Sequence, residues 1–228
     1  MFTSLINLFY PPVCAGCDAL LLERERIICS QCRHEMPQTH HHLDPLNEAV
    51  LKFYGKIPVE FAAAFLHYHK RGTVQEMIAN LKYHGMEAIG TVIGSWYGSV
   101  LQAANVLQNV DAVVPVPLHA RKLRKRGYNQ VDAFAQALAE KLNTECRTDL
   151  LFRKRYSRTQ TRKNRLGRSA VTQGEMFEAR PAADDSSKHF LLVDDVLTTG
   201  ATLESCARAL LQIPGIKISI ACIAMSRS

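Results

Sequence analysis

Phe190-Leu-Leu-Val-Asp-Asp-Val-Leu-Thr-Thr-Gly-Ala-Thr202 decides the fold of this 228-residue chain. Its four leading apolar residues predict a buried strand, with Asp194 and Asp195 at the carboxyl end. Thr198, Thr199, Gly200, Ala201 and Thr202 then turn the chain into a helix. Ligands of open α/β sheets bind outside the carboxyl ends of the strands, which puts both acids at a site. Gly200 lets the backbone come close to a ligand, the threonines offer hydroxyls, and successive amides at a helix start cradle a phosphate. Two carboxylates repel that phosphate, so their natural partners are ribose hydroxyls or a magnesium ion.

Working outward, Leu203, Ala207, Leu210 and Leu211 share one helical side, Pro214 and Gly215 stop the helix, and residues 216–224 alternate as a terminal strand. Upstream, residues 112–116 read as a short buried strand. Val131, Phe134, Ala135, Leu138 and Leu142 mark an amphipathic helix that Asn129 is placed to cap. Two further stripes, Val74 to Leu81 and Ile89 to Leu101, predict helices whose apolar faces, Trp96 included, are core. Strands alternating with helices imply a parallel sheet with right-handed crossovers. Residues 43–70 show no firm periodicity and read as a joint between modules. Residues 147–175 are polar and basic, a stretch too long for an ordinary connection and therefore read as a functional or disordered loop.

Cys14-Ala-Gly-Cys17 and Cys29-Ser-Gln-Cys32, eleven residues apart, carry four of the seven cysteines. Two such pairs suit knuckles that present four thiolates to one zinc ion, with iron as a minor competitor and disulfides a poor fit to a reducing compartment. His34 and the histidines at 40–42 read as linker, because a closed four-thiolate site needs no fifth ligand. Cys146, Cys206 and Cys222 read as small buried hydrophobes. No apolar run reaches membrane-spanning length and no export signal is read, so a soluble, cytoplasmic protein is expected. The net charge of +7 is concentrated: Arg121, Lys122, Arg124, Lys125 and Arg126 form one run, and eight more basic residues lie between 153 and 168. Neither run contains an acid, and such patches attract phosphates of small ligands or nucleic acid.

The segment at 190–202 resembles the phosphoribosyl-pyrophosphate (PRPP) motif of type I phosphoribosyltransferases. With Val114-Pro-Val-Pro-Leu-His119, Arg126-Gly-Tyr-Asn-Gln130, Leu81-Lys-Tyr-His-Gly85 and the four cysteines, the chain is similar to the ComF/GntX family over nearly its whole length. The resemblance implies an α/β, type I phosphoribosyltransferase-like parallel sheet flanked by helices, with a small N-terminal zinc-binding module. Its bounds would be a knuckle at 1–42, the joint at 43–70 and the main domain at 71–228. By the same resemblance Asp194 and Asp195 would bind the ribose hydroxyls, directly or through Mg²⁺, and residues 198–202 would wrap the 5′-phosphate. The loop from 117 to 126, with Arg121, Lys122, Arg124 and Arg126, would meet the pyrophosphate. Gln160, Arg162, Asn164 and Arg165 would occupy the place of the mobile loop over PRPP.

The family is associated with uptake or nutritional use of external DNA. Single-stranded DNA and uptake-machinery proteins are therefore expected partners. The alternative is an active transferase moving ribose 5-phosphate from PRPP onto an unknown acceptor, and a third reading makes PRPP an allosteric signal for DNA handling. The sequence runs only a few residues past its last strand, so no C-terminal base-recognising hood is expected. Phe61, Phe65, Tyr68 and Tyr83 are the candidates for stacking on a base.

Overall fold

A computed structural model describes residues 11–154 and 176–226. Its helices and strands run α1 (Ser30–His34), α2 (Glu48–Leu51), β1 (Phe61–Tyr68), α3 (Thr73–Tyr83), α4 (Ala88–Ala103), β2 (Ala112–Pro115), α5 (Ala120–Arg126), α6 (Asp132–Leu142), β3 (Glu145–Cys146), β4 (Leu151–Arg153), β5 (Phe177–Ala179), β6 (His189–Leu197), α7 (Ala201–Leu210) and β7 (Lys217–Ser226). Five strands form one sheet in the order β1-β7-β6-β2-β3. Every pairing in it is parallel.

Period-two alternation sends successive strand residues into two cores. Val113, Leu191, Val193, Ala221 and Ile223 face the first, which α3, α4 and α6 cover. Val114, Phe190, Leu192, Ile220 and Cys222 face the second, which α7, Phe53 and the antiparallel β4–β5 pair cover. Cysteines 206 and 222 are buried as expected, and Cys146 is half-buried. With both faces covered, the strands lose the apolar–polar alternation of a half-exposed sheet.

That loss explains the main correction. Residues 43–70, expected as a joint, contain α2 and the edge strand β1, which pairs with β7 from Phe61↔Ser219 to Tyr68↔Ser226. Ala63 enters the first core and Ala62 and Ala64 the second, so Phe-Ala-Ala-Ala-Phe-Leu shows no pattern in sequence. The outer side of β1 is protected too. Thr39 Oγ1 donates to Ala64 O at 2.5 Å, and the Ala64 amide donates to His41 Nδ1 at 3.3 Å. His41, expected as linker, is thus a buried group that covers a sheet edge which would otherwise invite pairing.

Two local expectations also change. The basic run at 120–126 is a helix rather than a loop, opened by His119 Nδ1 accepting from the Arg121 amide at 3.1 Å and closed by Gly127 at φ +87°. Asn129 does not cap α6 with its side chain. It donates instead to Val116 O at 3.2 Å and to Asp132 Oδ1 at 2.7 Å, binding the helix start to the end of β2.

Helices α4 and α6 approach unusually closely because Gly90, Gly94 and Gly98 line one face of α4. A Cβ on Gly94 would lie 2.7 Å from Phe134 O and 2.8 Å from Ala137 Cβ, atoms that cannot swing away. Overpacking of this kind costs about 1–3 kcal/mol. Gly94→Ala is therefore expected to lower Tm by roughly 3–10 °C, whereas Ser99→Ala on the exposed face of the same helix changes it by no more than about 2 °C. Thermal denaturation followed by circular dichroism checks both.

Candidate functional site

Strand β6 delivers the central residues. The two acids lie inside the paired length of the strand, which continues to Leu197↔Met225, rather than beyond its end. Neighbouring strand residues point to opposite faces, so Asp194 and Asp195 part company. Asp194 lines a cradle of about 40 Å³ with Thr198, Thr199, Gly200, Ala201 and Thr202. Asp195 turns to the other face and is buried, where Lys82 Nζ lies 3.0 Å from Oδ1 and Gln130 Nε2 donates to Oδ2 at 2.7 Å.

The cradle has the local geometry an anion needs. Gly200 takes φ +80° directly before α7, and a Cβ there would press on Phe53 at 3.0 Å. Phe53, from the stretch once expected to be a joint, thus forms the floor under the turn. Thr198, Thr199 and Thr202 are exposed. The ten-residue α7 points its amino end and positive dipole at the same spot, where the Ala201 amide donates to Thr199 Oγ1 at 3.4 Å.

Burial, and then the charge of Asp195, raise the Asp194 carboxyl to about 7. The folded protein therefore holds this proton more tightly than the unfolded chain, where a carboxyl titrates near ~4. Stability should fall as pH rises from about 4 to about 7 and stay lowered above that range. Asp194→Asn removes the titrating group, so its Tm relative to wild type is expected to be higher at about pH 8 than at about pH 5. A difference constant across that range would contradict the assignment.

Among the other expected site residues, Arg121, Lys122 and Arg124 are exposed on α5. Arg126 sits with its guanidinium 5.5 Å from the Tyr83 ring centroid and donates from Nη1 to Gln130 Oε1. Arg162 and Arg165, with Gln160 and Asn164, lie outside the described residues. Lys82 and Gln130 received no role from sequence, although both stand within quoted motifs. A buried glutamine such as Gln130 is a signal only once its burial is known.

The cysteines form a second cluster. The sulfurs of Cys14, Cys17, Cys29 and Cys32 lie within 4.8 Å of one another. Backbone amides of Gly16 and Cys29 donate to Cys14 Sγ at 3.4 and 3.3 Å, and that of Cys32 donates to Cys29 Sγ at 3.4 Å. At Cys14 burial pushes the thiol up, but these donors outweigh it and hold its pKa at about 7. Burial drives Cys32 upward. Four converging soft donors with amide-supported sulfurs fit a tetrahedral metal-thiolate centre.

Residues 133–228 match the phosphoribosyl transferase domain family. Crystal structures of an adenine phosphoribosyltransferase and of the Saccharomyces cerevisiae adenine phosphoribosyltransferase are similar at 14% and 15% identity, with TM-scores of 0.38 and 0.36. They cover 65% and 62% of this chain and 75% and 69% of theirs. Residues 133–228 thus carry a phosphoribosyltransferase-type fold. Over 214 residues, 92% of this chain and 89% of the relative, it is 26% identical to the DNA utilization protein YhgH of Escherichia coli K12. It is 30% identical over 100 residues to competence protein F of Haemophilus influenzae, covering 44% of each chain. Among the described residues no helix is long and apolar enough to cross a membrane.

Proposed function

We propose that the protein binds PRPP or a related phosphoribosyl ligand at residues 194–202 and acts in the cytoplasm in the use of external DNA, as a nutrient or in competence. The observation that carries this is the cradle, in which a carboxylate and three exposed threonines surround the glycine turn at the start of α7. Its amides and hydroxyls suit the 5′-phosphate, while Asp194 suits a ribose hydroxyl or a Mg²⁺ ion bridging to one. The cations of α5 suit the pyrophosphate. Four thiolates hold one zinc ion that shapes the N-terminal segment.

The DNA role rests on the names of the relatives and on the concentration of positive charge. If about six of these side chains meet phosphates of a single strand, log affinity falls with log salt with a slope of roughly −4. A filter-binding titration from low to moderate salt measures that slope, and weak binding indifferent to salt would refute the contact.

Calorimetry of PRPP with Mg²⁺ tests the ligand directly. Saturable binding supports the phosphoribosyl site, and none refutes it. Pyrophosphate release over a panel of bases separates a transferase, which releases it with some acceptor, from a protein that only binds.

A further inference from the structure

Four stacking candidates were named from sequence, and the fold removes three of them. Phe65 is buried, stacked on Tyr97 with ring centroids 4.8 Å apart and meeting Trp96 edge-on at 5.0 Å. Phe61 and Tyr68 are partly buried against the same core. Tyr83 remains, 75% exposed at the end of α3.

Tyr83 does not stand alone. With Lys82, Gly85, Lys122, Lys125, Arg126 and Tyr128 it lines a cavity of about 300 Å³. Four of these seven residues are cations and none is an acid, which selects an anion. Two are tyrosines, which selects something planar. Arg126 lies over the Tyr83 ring, yet the side chain stays largely exposed and offers ring surface for stacking. The wall is held in place, since Tyr128 Oη donates to Leu81 O and joins the segment after α5 to the end of α3. A cavity of roughly this size is at the small end of ligand pockets and suits one nucleotide.

The cavity also adjoins the acid pair. Lys82 is at once a lining residue and the ion-pair partner of Asp195, and Arg126 reaches the same carboxylate through Gln130.

We propose that this cavity is a nucleotide subsite, in which Tyr83 stacks on the base and Lys82, Lys122 and Lys125 hold its phosphate. The inference deepens, and rests on, the view of the protein as a phosphoribosyl-ligand binder that handles DNA. It gives that view a place for the base. The nucleotide is either free or part of a single strand, and the recognition chemistry is the same for both.

The test compares an oligothymidylate of about twelve nucleotides with an abasic strand of equal phosphate number by calorimetry at fixed salt. Loss of one stacked base is worth about 1–3 kcal/mol, so Tyr83→Ala should weaken oligothymidylate binding by roughly 5- to 150-fold. Binding of the abasic strand should stay unchanged, and Tyr83→Phe should preserve both. Thymidine monophosphate binding that is lost in Tyr83→Ala identifies the free nucleotide as a ligand. Loss with the strand alone identifies a nucleotide within single-stranded DNA. The proposal is overturned if Tyr83→Ala leaves both oligothymidylate and thymidine monophosphate binding intact, or weakens both strands equally. PRPP with Mg²⁺ is titrated into the same preparations. Silence there counts against the phosphoribosyl site alone, because the ratio of the two strands reads Tyr83 independently of PRPP.

Discussion

Replacing Asp194 and Asp195 together by Asn is expected to abolish measurable PRPP binding in the presence of Mg²⁺. Hydrogen bonds to a charged group are worth about 1.5–3 kcal/mol each, so two lost bonds weaken binding by roughly 10²- to 10⁴-fold. Asparagine keeps the shape of each side chain but loses the charge that holds a metal ion or accepts from a ribose hydroxyl. The two single variants should differ. Asp194 lines the cradle, whereas Asp195 is already engaged by Lys82 at 3.0 Å and Gln130 at 2.7 Å. Asp194→Asn should therefore carry most of the loss, and Asp195→Asn should act mainly by freeing Lys82. Calorimetry on both single variants checks the division, and equal losses would contradict it.

Loss of the metal-thiolate centre is expected to destabilise the whole protein. Cys14, Ala15, Ile28, Cys29, Cys32 and Met36 share one core with Val74, Met77, Ile93 and Phe134. Asn80 Nδ2 donates to Ala15 O at 2.9 Å, and a Cβ on Gly16 would strike Thr73 Cγ2 at 2.4 Å. The knuckle is thus built into the face of α3 rather than tethered beside it. Structural zinc sites contribute about 10–16 kcal/mol to apparent binding at neutral pH, and losing even ~5 kcal/mol of folding free energy lowers Tm by roughly 10–20 °C for a chain of this size. Cys14→Ser, or exhaustive chelation, should produce that drop as one cooperative transition, because the affected residues belong to the main core. Elemental analysis should find one zinc per chain in the wild type. An unchanged Tm after complete metal removal would contradict a structural role, and iron in place of zinc would correct the metal.

These expectations draw differently on sequence and structure. The strand-acid-acid-turn-helix segment and the two Cys-x-x-Cys pairs were readable because each is local, its meaning carried by residues a few positions apart. The same holds for the stripes of α3, α4 and α6. Strand β1 was not readable, since Phe61 to Leu66 divides between two cores and so shows no alternation. The glycine face of α4 was not readable either, because its need for glycine comes from α6, some forty residues away.

The sequence by itself determined the parallel α/β architecture, the glycine turn after β6, the four-sulfur cluster and the concentration of positive charge. Each follows from periodicity, spacing or composition within a short window. Only the tertiary structure decided which distant side chains meet. It turned Asp194 toward the threonine cradle and Asp195 toward Lys82 and Gln130, and it brought Tyr83 under Arg126. The physical reason is strand order. Placing β6 between β2 and β7 carries α3 and the segment after β2 to the same end of the sheet, and no local pattern encodes which distant side chains then meet.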